Sequence, residues 1–182
     1  MTRAPAAQTV HASAVAIGAT GVLIRGESGS GKSSLALGLI MADRKHCRLV
    51  ADDRVVLTAK DGRLFASTPP EIAGLLEVRG QGLLPFPHLP SAAVGLVVDI
   101  VAPRVAPRMP EPSESETELC GVMVRRLLLP IGIADGPIRV MLAFERLPRV
   151  KPLRAGAEKS LALRNRSVEI GRPAGKRPRA EV

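Results

Sequence analysis

Short apolar runs broken by glycine-rich turns set the pattern of the first hundred residues. Ala14 to Ile17 and Gly21 to Ile24 flank Gly18-Ala19-Thr20, which predicts two strands joined by a turn. A Gly/Ser loop, Gly26 to Gly31, follows, and Ser34 to Arg44 then spaces Leu35, Leu39 and Ala42 for one helical face. Arg48 to Leu57 reads as the next strand, with Ala51-Asp52-Asp53 in its middle. Asp61-Gly62 predicts a hairpin turn before Arg63 to Ala66. Pro69-Pro70 predicts a short helix over Glu71 to Leu76, and Ala93 to Val101 reads as an apolar strand. Val122 to Leu129 and Ile138 to Phe144 resume as strands around a loop at Gly132 to Pro137. Strands alternating with a helix point to an α/β fold.

Two stretches lack such periodicity. Pro103 to Glu118 interleaves prolines with acids and reads as an exposed connection. From 147 to 182 the chain is rich in Arg, Lys and Pro, which predicts a flexible basic tail after a domain over 8–146, with a short helix near Glu158 to Leu163.

That tail changes how the charge is read. The 182 residues carry a formal charge of +9, which by itself suggests a nucleic-acid or acidic-membrane partner. Yet residues 147–182 hold ten Lys/Arg against three Asp/Glu, while the rest holds sixteen against fourteen. The domain is close to neutral, and no nucleic-acid partner is expected. With three Phe and neither Trp nor Tyr, base-stacking modules are disfavoured too. Hydrophobic residues at 46% suffice for a core in one domain. Cys47 and Cys120 show no metal-ligand spacing and read as reduced thiols of a cytoplasmic protein. Arg3 is followed by Ala-Pro-Ala-Ala-Gln rather than an apolar run, so no secretory leader is expected. The uncharged stretch Ala4 to Ile24 contains Pro5, Gln8, His11, Gly18 and Gly21, too much polarity and turn chemistry for a membrane span.

The strongest chemical signal is Gly26-Glu27-Ser28-Gly29-Ser30-Gly31-Lys32-Ser33, a full match to G-x-x-x-x-G-K-[ST] between a strand and a helix. Glycines let successive amides curve around phosphate oxygens, and the helix adds its positive end. Lys32 suits the β/γ-phosphates, and the Ser33 hydroxyl suits Mg²⁺. No [NT]-K-x-D guanine-reading motif accompanies the loop, which disfavours a GTPase.

Twenty positions after Lys32 stands the pair Asp52-Asp53. Adjacent strand residues point to opposite faces, so one of the two can face the phosphates, where a carboxylate accepts a hydroxyl proton or holds Mg²⁺. Glu77 and Arg79, two apart in Leu76-Glu77-Val78-Arg79-Gly80-Gln81-Gly82, suit a metal ligand and a phosphate clamp if the segment is extended. Read singly, the Asp pair fits a strand-end salt bridge, Glu77 and Arg79 a surface pair, and His11 a polar loop histidine.

Taken in order, His11, the glycine loop, Leu49-Val50-Ala51-Asp52-Asp53 and Leu76 to Leu84 resemble the catalytic domain of HPr kinase/phosphorylases. The resemblance covers residues 8 to 145 and is closest to the short form that consists of this domain. It implies a P-loop fold of the phosphoenolpyruvate-carboxykinase-like type. It also implies a magnesium- and ATP-dependent kinase acting on a serine of the phosphocarrier protein HPr, with removal of that phosphate by phosphorolysis, and a hexameric assembly. Carried over, Lys32 stabilises the transferred phosphoryl group, and Ser33 and Glu77 ligate magnesium. Asp53, with Asp52 close behind, is the general base; His11 is the active-site histidine, and Arg79 belongs to the mechanistic motif.

One departure stands out. The family's Gly-Arg in the loop after the Leu-Pro-Ile strand is missing, since Ile131 is followed by Gly132-Ile133-Ala134-Asp135-Gly136-Pro137. Arg139 lies in the next expected strand. Three rivals follow: a P-loop kinase for another protein or a small molecule, a nucleotide-sensing module without catalysis, and a nucleic-acid binder acting through the tail.

Overall fold

The computed structural model describes residues 7–147. Its strands are β1 (Gln8–His11), β2 (Ser13–Ile17), β3 (Thr20–Gly26), β4 (Cys47–Ala51), β5 (Arg54–Lys60), β6 (Arg63–Ser67), β7 (Leu75–Val78), β8 (Gly82–Pro85), β9 (Ser91–Val101), β10 (Glu116–Leu119) and β11 (Val122–Pro130). Two helices, α1 (Lys32–Ala42) and α2 (Gly136–Glu145), complete a mixed α/β fold. Nine strands form one sheet in the order β1-β5-β6-β9-β3-β2-β4, with β11 beside β9 and β10 beside β11; β7 and β8 form a separate hairpin. Only β3–β9 and β9–β11 pair in parallel within the large sheet. Strand β9 pairs with three neighbours: β3 runs parallel along one edge, while on the other Ser91 to Ala93 pair with β6 antiparallel and Leu96 to Val101 with β11 in parallel.

Strand alternation sorts the core onto the two faces of the sheet. Val15, Ile17, Val22, Ile24, Leu96, Val98 and Ile100 pack with Leu35, Leu39 and Ile40 of α1 and Val140 of α2. Ala14, Ala16, Leu23 and Val97 join Val55, Leu57, Leu64 and Ala66 in a second cluster. Each fully buried Leu or Ile there contributes roughly 1.5–3 kcal/mol. Helix α1 runs with Gly38 against α2: a Cβ there would lie 2.7 Å from Pro137 Cγ.

Several expectations are corrected. The strand over Arg48 to Leu57 is two strands, because the chain turns at Asp52-Asp53; the Arg54 amide donates to the Asp52 carbonyl at 2.7 Å across Asp53, whose φ is +63°. The helix over Glu71 to Leu76 reduces to a 3-10 turn at Pro70–Ile72, and Leu75–Val78 becomes a strand, as Gly74 at φ +76° ends the turn. Ile138 to Phe144 is helical, since Pro137 starts a helix and Val140 packs inward at helical spacing. The α1 helix ends at Ala42, which is exposed. Part of the connection between Pro103 and Glu118 is ordered by a 3-10 turn at Pro112–Ser115 and by β10. Among the described residues no helix is long and apolar enough to cross a membrane, and Cys47 and Cys120 are free thiols. The tail over 147–182 and its helix near Glu158 to Leu163 fall, past Leu147, outside the described residues.

Candidate active site at the glycine loop

Strand β3 delivers the loop and helix α1 receives it. Gly26, at φ +155°, must be glycine: a Cβ would lie 2.6 Å from Ser30 Oγ and 2.9 Å from the Ile100 carbonyl oxygen. Gly31 caps α1 in the left-handed region, so the first helical amides open toward the loop with no side-chain cap competing for them. Glu27, Ser28 and Gly29 are exposed. Lys32 is buried and its Nζ donates to the carbonyls of Gly26 (3.0 Å) and Glu27 (2.9 Å), which curls the ammonium back over the loop. The Ser30 hydroxyl is buried beneath the loop without a hydrogen-bond partner.

The turn between β4 and β5 separates the two aspartates. Asp52 is buried. Its Oδ1 accepts from Ser33 Oγ at 3.0 Å and from Ser13 Oγ at 2.6 Å, and its Oδ2 faces the Glu77 amide at 3.4 Å. Asp53 points outward with its side chain 80% exposed, and its Oδ1 lies 3.3 Å from His11 Nε2. The pair therefore divides inside from outside, as alternation predicts, though a γ-turn rather than a strand pleat does it. His11 is the last residue of the edge strand β1 rather than a loop residue, and with Thr9, Val10, Asp53 and Arg54 it lines an open depression of about 290 Å³.

Strand β7 brings the Glu77 backbone to Asp52, and the Glu77 side chain is exposed. Arg79 lies past the end of β7 in the turn before β8, exposed, so the two do not share a strand face. Arg139 is on α2, where its Nε donates to Asp135 at 2.9 Å; it stands on an exposed helix surface instead of in a strand.

The donor set suits Mg²⁺, a hard cation that prefers a few protein oxygens plus substrate phosphates. Ser33 Oγ, the Asp52 carboxylate behind it and the Glu77 carboxylate on the adjoining strand are oxygen donors. Among the described residues no group of three or more His, Cys, Asp or Glu forms a cage. Such a metal would thus need phosphate oxygens to complete its shell.

Two features escape a reading of the sequence. Ser13 is a lone hydroxyl in the apolar run Ala12 to Ile17, and that polarity mismatch was its only signal. The other is a charged cluster one residue before the loop. Arg25 donates through Nε and Nη2 to the two Asp99 oxygens, each at 2.7 Å, and Arg126 Nε donates to Oδ2 at 2.6 Å. Burial pushes the Asp99 carboxyl up, but the hydrogen bonds and charge of Arg25 and then Arg126 outweigh it and hold it below the usual carboxylate range. Nothing in local sequence places these residues together, because β3, β9 and β11 meet only in the sheet.

The family model described as HPr Serine kinase C-terminal domain matches residues 3–135. The HPr kinase/phosphorylase of Clostridium tetani is 37% identical over 133 residues, which are 67% of this chain and 42% of that protein. That of Limosilactobacillus reuteri is 35% identical over 135 residues, 68% of this chain and 41% of that protein. The chain thus spans well under half the length of these relatives. The solved structure of the Hpr(Ser) kinase/phosphatase from Coxiella burnetii superposes with a TM-score of 0.65 at 30% identity, covering 76% of this chain and 88% of that one. Profile, identity and superposition agree, and the chain belongs to the HPr Serine kinase C-terminal domain family.

Proposed function

We propose that this domain transfers the γ-phosphoryl group of ATP to a serine of the phosphocarrier protein HPr, and that it also removes that phosphate by phosphorolysis. The observation that carries this reading is the placement of a buried carboxylate, Asp52, on the glycine-loop Ser33, with an exposed carboxylate, Asp53, on the next residue beside His11. One carboxylate organises the phosphate side and the other faces an incoming substrate.

In this reading the loop amides and the α1 N-terminus hold the phosphates, and Lys32 exchanges its two carbonyl partners for phosphate oxygens. Magnesium, when bound through Ser33 and Glu77, would neutralise charge on the transferred group. Asp53 accepts the proton of the serine hydroxyl as its oxygen bonds to phosphorus, and His11 orients that carboxylate. Asp52 is less suited to the base role because it is enclosed and already holds two hydroxyl donors. In the reverse direction inorganic phosphate attacks the phosphoserine phosphorus, Asp53 returns the proton to the serine oxygen, and pyrophosphate leaves. Arg79 is exposed in the turn after β7, and in this reading it contacts substrate. A cytoplasmic protein that works without nucleic acid or membrane, as a homo-oligomer, fits this chemistry.

The test is incubation of the purified chain with HPr and ATP, then with inorganic phosphate. One phosphoserine is expected, lost in an Asp52→Asn/Asp53→Asn double variant; unchanged transfer by that variant would sink the mechanism. Transfer to a metabolite but not to HPr would select the small-molecule kinase. A second reading rests on the missing loop arginine, a role that Arg139, engaged with Asp135 on the exposed surface of α2, does not fill. ATP binding without phosphotransfer under any divalent metal would select a nucleotide sensor.

A further inference from the structure

We infer that Ser13 is a positioning residue of the phosphate site that acts through Asp52, so that the single segment His11 to Ser13 holds both carboxylates of the aspartate pair. This rests on the reading of Ser33 as a magnesium ligand given above. The geometry is specific. Ser13 Oγ donates to Asp52 Oδ1 at 2.6 Å, the shortest contact that carboxylate makes, while two residues earlier His11 Nε2 lies 3.3 Å from Asp53 Oδ1. Ser13 is fully buried between Ala12 and Ala14, which are 0% and 1% exposed. A hydroxyl in such a place needs a partner, and Asp52 is the one it has.

Topology makes the contact rigid. Strand β2 lies between β3, which leads into the glycine loop, and β4, which leads into the aspartate turn. Ser13 pairs with Ile24, two residues before Gly26, and its neighbour Ala14 pairs with Ala51. A register shift between Ala14 and Val15 leaves Val50 of β4 as an extra residue opposite β2, directly before the aspartate turn. Ser13 therefore ties the two catalytic segments to one strand.

The consequence falls on Ser33. Its hydroxyl has one proton and two lone pairs, and donating that proton to Asp52 leaves the lone pairs free for a cation. A carboxylate torsion is soft by itself. With Oδ1 taken by Ser13 and Oδ2 facing the Glu77 amide, the Asp52 plane is set, and so is the direction of the Ser33 proton.

The test is calorimetric titration of the full chain with ATP, once with Mg²⁺ and once with a chelator. Ser13→Ala is expected to weaken Mg-ATP binding about tenfold, the worth of one hydrogen bond to a charged group. Metal-free ATP should bind within about twofold of wild type, since the loop amides are untouched. Ser13→Thr keeps the hydroxyl and should keep the metal preference. If Ser13→Ala does not fold, Ser13→Cys fills the space with a weak donor and should show the same loss. In an Asp52→Asn background Ser13→Ala should have no further effect on the metal preference. Equal losses with and without metal, no loss, or additive losses in the double variant would each overturn the inference. A wild-type chain that binds ATP equally with and without Mg²⁺ would overturn the magnesium reading as well, whereas a silent Ser13 variant overturns this inference alone.

Discussion

Asp53 combines backbone strain with the proposed base role at one position. A φ of +63° is poorly tolerated by most side chains but accessible to Asp and Asn, and a γ-turn is a costly way to reverse direction. Strain of this kind persists where surrounding structure enforces it, and here β4 and β5 do so on either side. Asp53→Asn should therefore fold with wild-type stability while losing the proposed base. Asp53→Val should lose about 1–2 kcal/mol from its β-branched side chain in the left-handed region. Urea denaturation of the two variants separates these effects, and equal midpoints would refute the strain. The doublet itself is visible in the sequence, but the division of labour is not. Alternation predicts one residue in and one out; only the turn decides that Asp52 meets Ser33.

At the scale of elements, the contact of α1 with α2 depends on one missing side chain. Gly38 lies in the middle of α1, where alanine would ordinarily stabilise a helix by about 1 kcal/mol. At this site the added Cβ would sit 2.7 Å from the Pro137 ring, which cannot rotate away. Gly38→Ala is expected to be net destabilising by about 1–2 kcal/mol through overpacking, read as a lower thermal midpoint. A raised midpoint would show that α2 shifts freely. The helix α2 is also where local reading failed most clearly. Ile138 to Phe144 is apolar enough for a strand, and so short a segment, apolar apart from Arg139, does not distinguish the two states by periodicity. Pro137 at its first turn and Val140 packed toward α1 decide for the helix. The β7–β8 hairpin differs from the expected helix for the converse reason: Pro69-Pro70 starts a helical turn that Gly74 ends at once.

Across the whole molecule, the Arg25–Asp99–Arg126 cluster joins β3, β9 and β11, the three strands with parallel pairing beside the loop. Asp99 has its folded pKa depressed, so it binds its proton more readily when unfolded. Its contribution is then present above the unfolded carboxylate pKa, near pH 4, and is lost as pH falls through the lower folded value. Asp99→Asn should cost about 2 kcal/mol at neutral pH, as charge-assisted hydrogen bonds are lost. The gap from wild type should narrow as the pH is lowered through the acid range, tracked by denaturant midpoints. A gap that stays constant with pH would show that Asp99 acts through shape rather than charge.

What the chain's residues determine by themselves is local: a glycine-rich motif at Gly26 to Ser33, a carboxylate pair downstream, and a near-neutral stretch preceding a basic segment. These are properties of short contiguous spans, and periodicity or spacing suffices to read them. The tertiary structure alone decides which carboxylate meets Ser33, that Ser13 and His11 each hold one of the pair, and that Asp99 sits between two arginines. Those contacts join residues far apart in the chain through strand order and register. A hydrogen bond senses distance in space, and no local pattern encodes it.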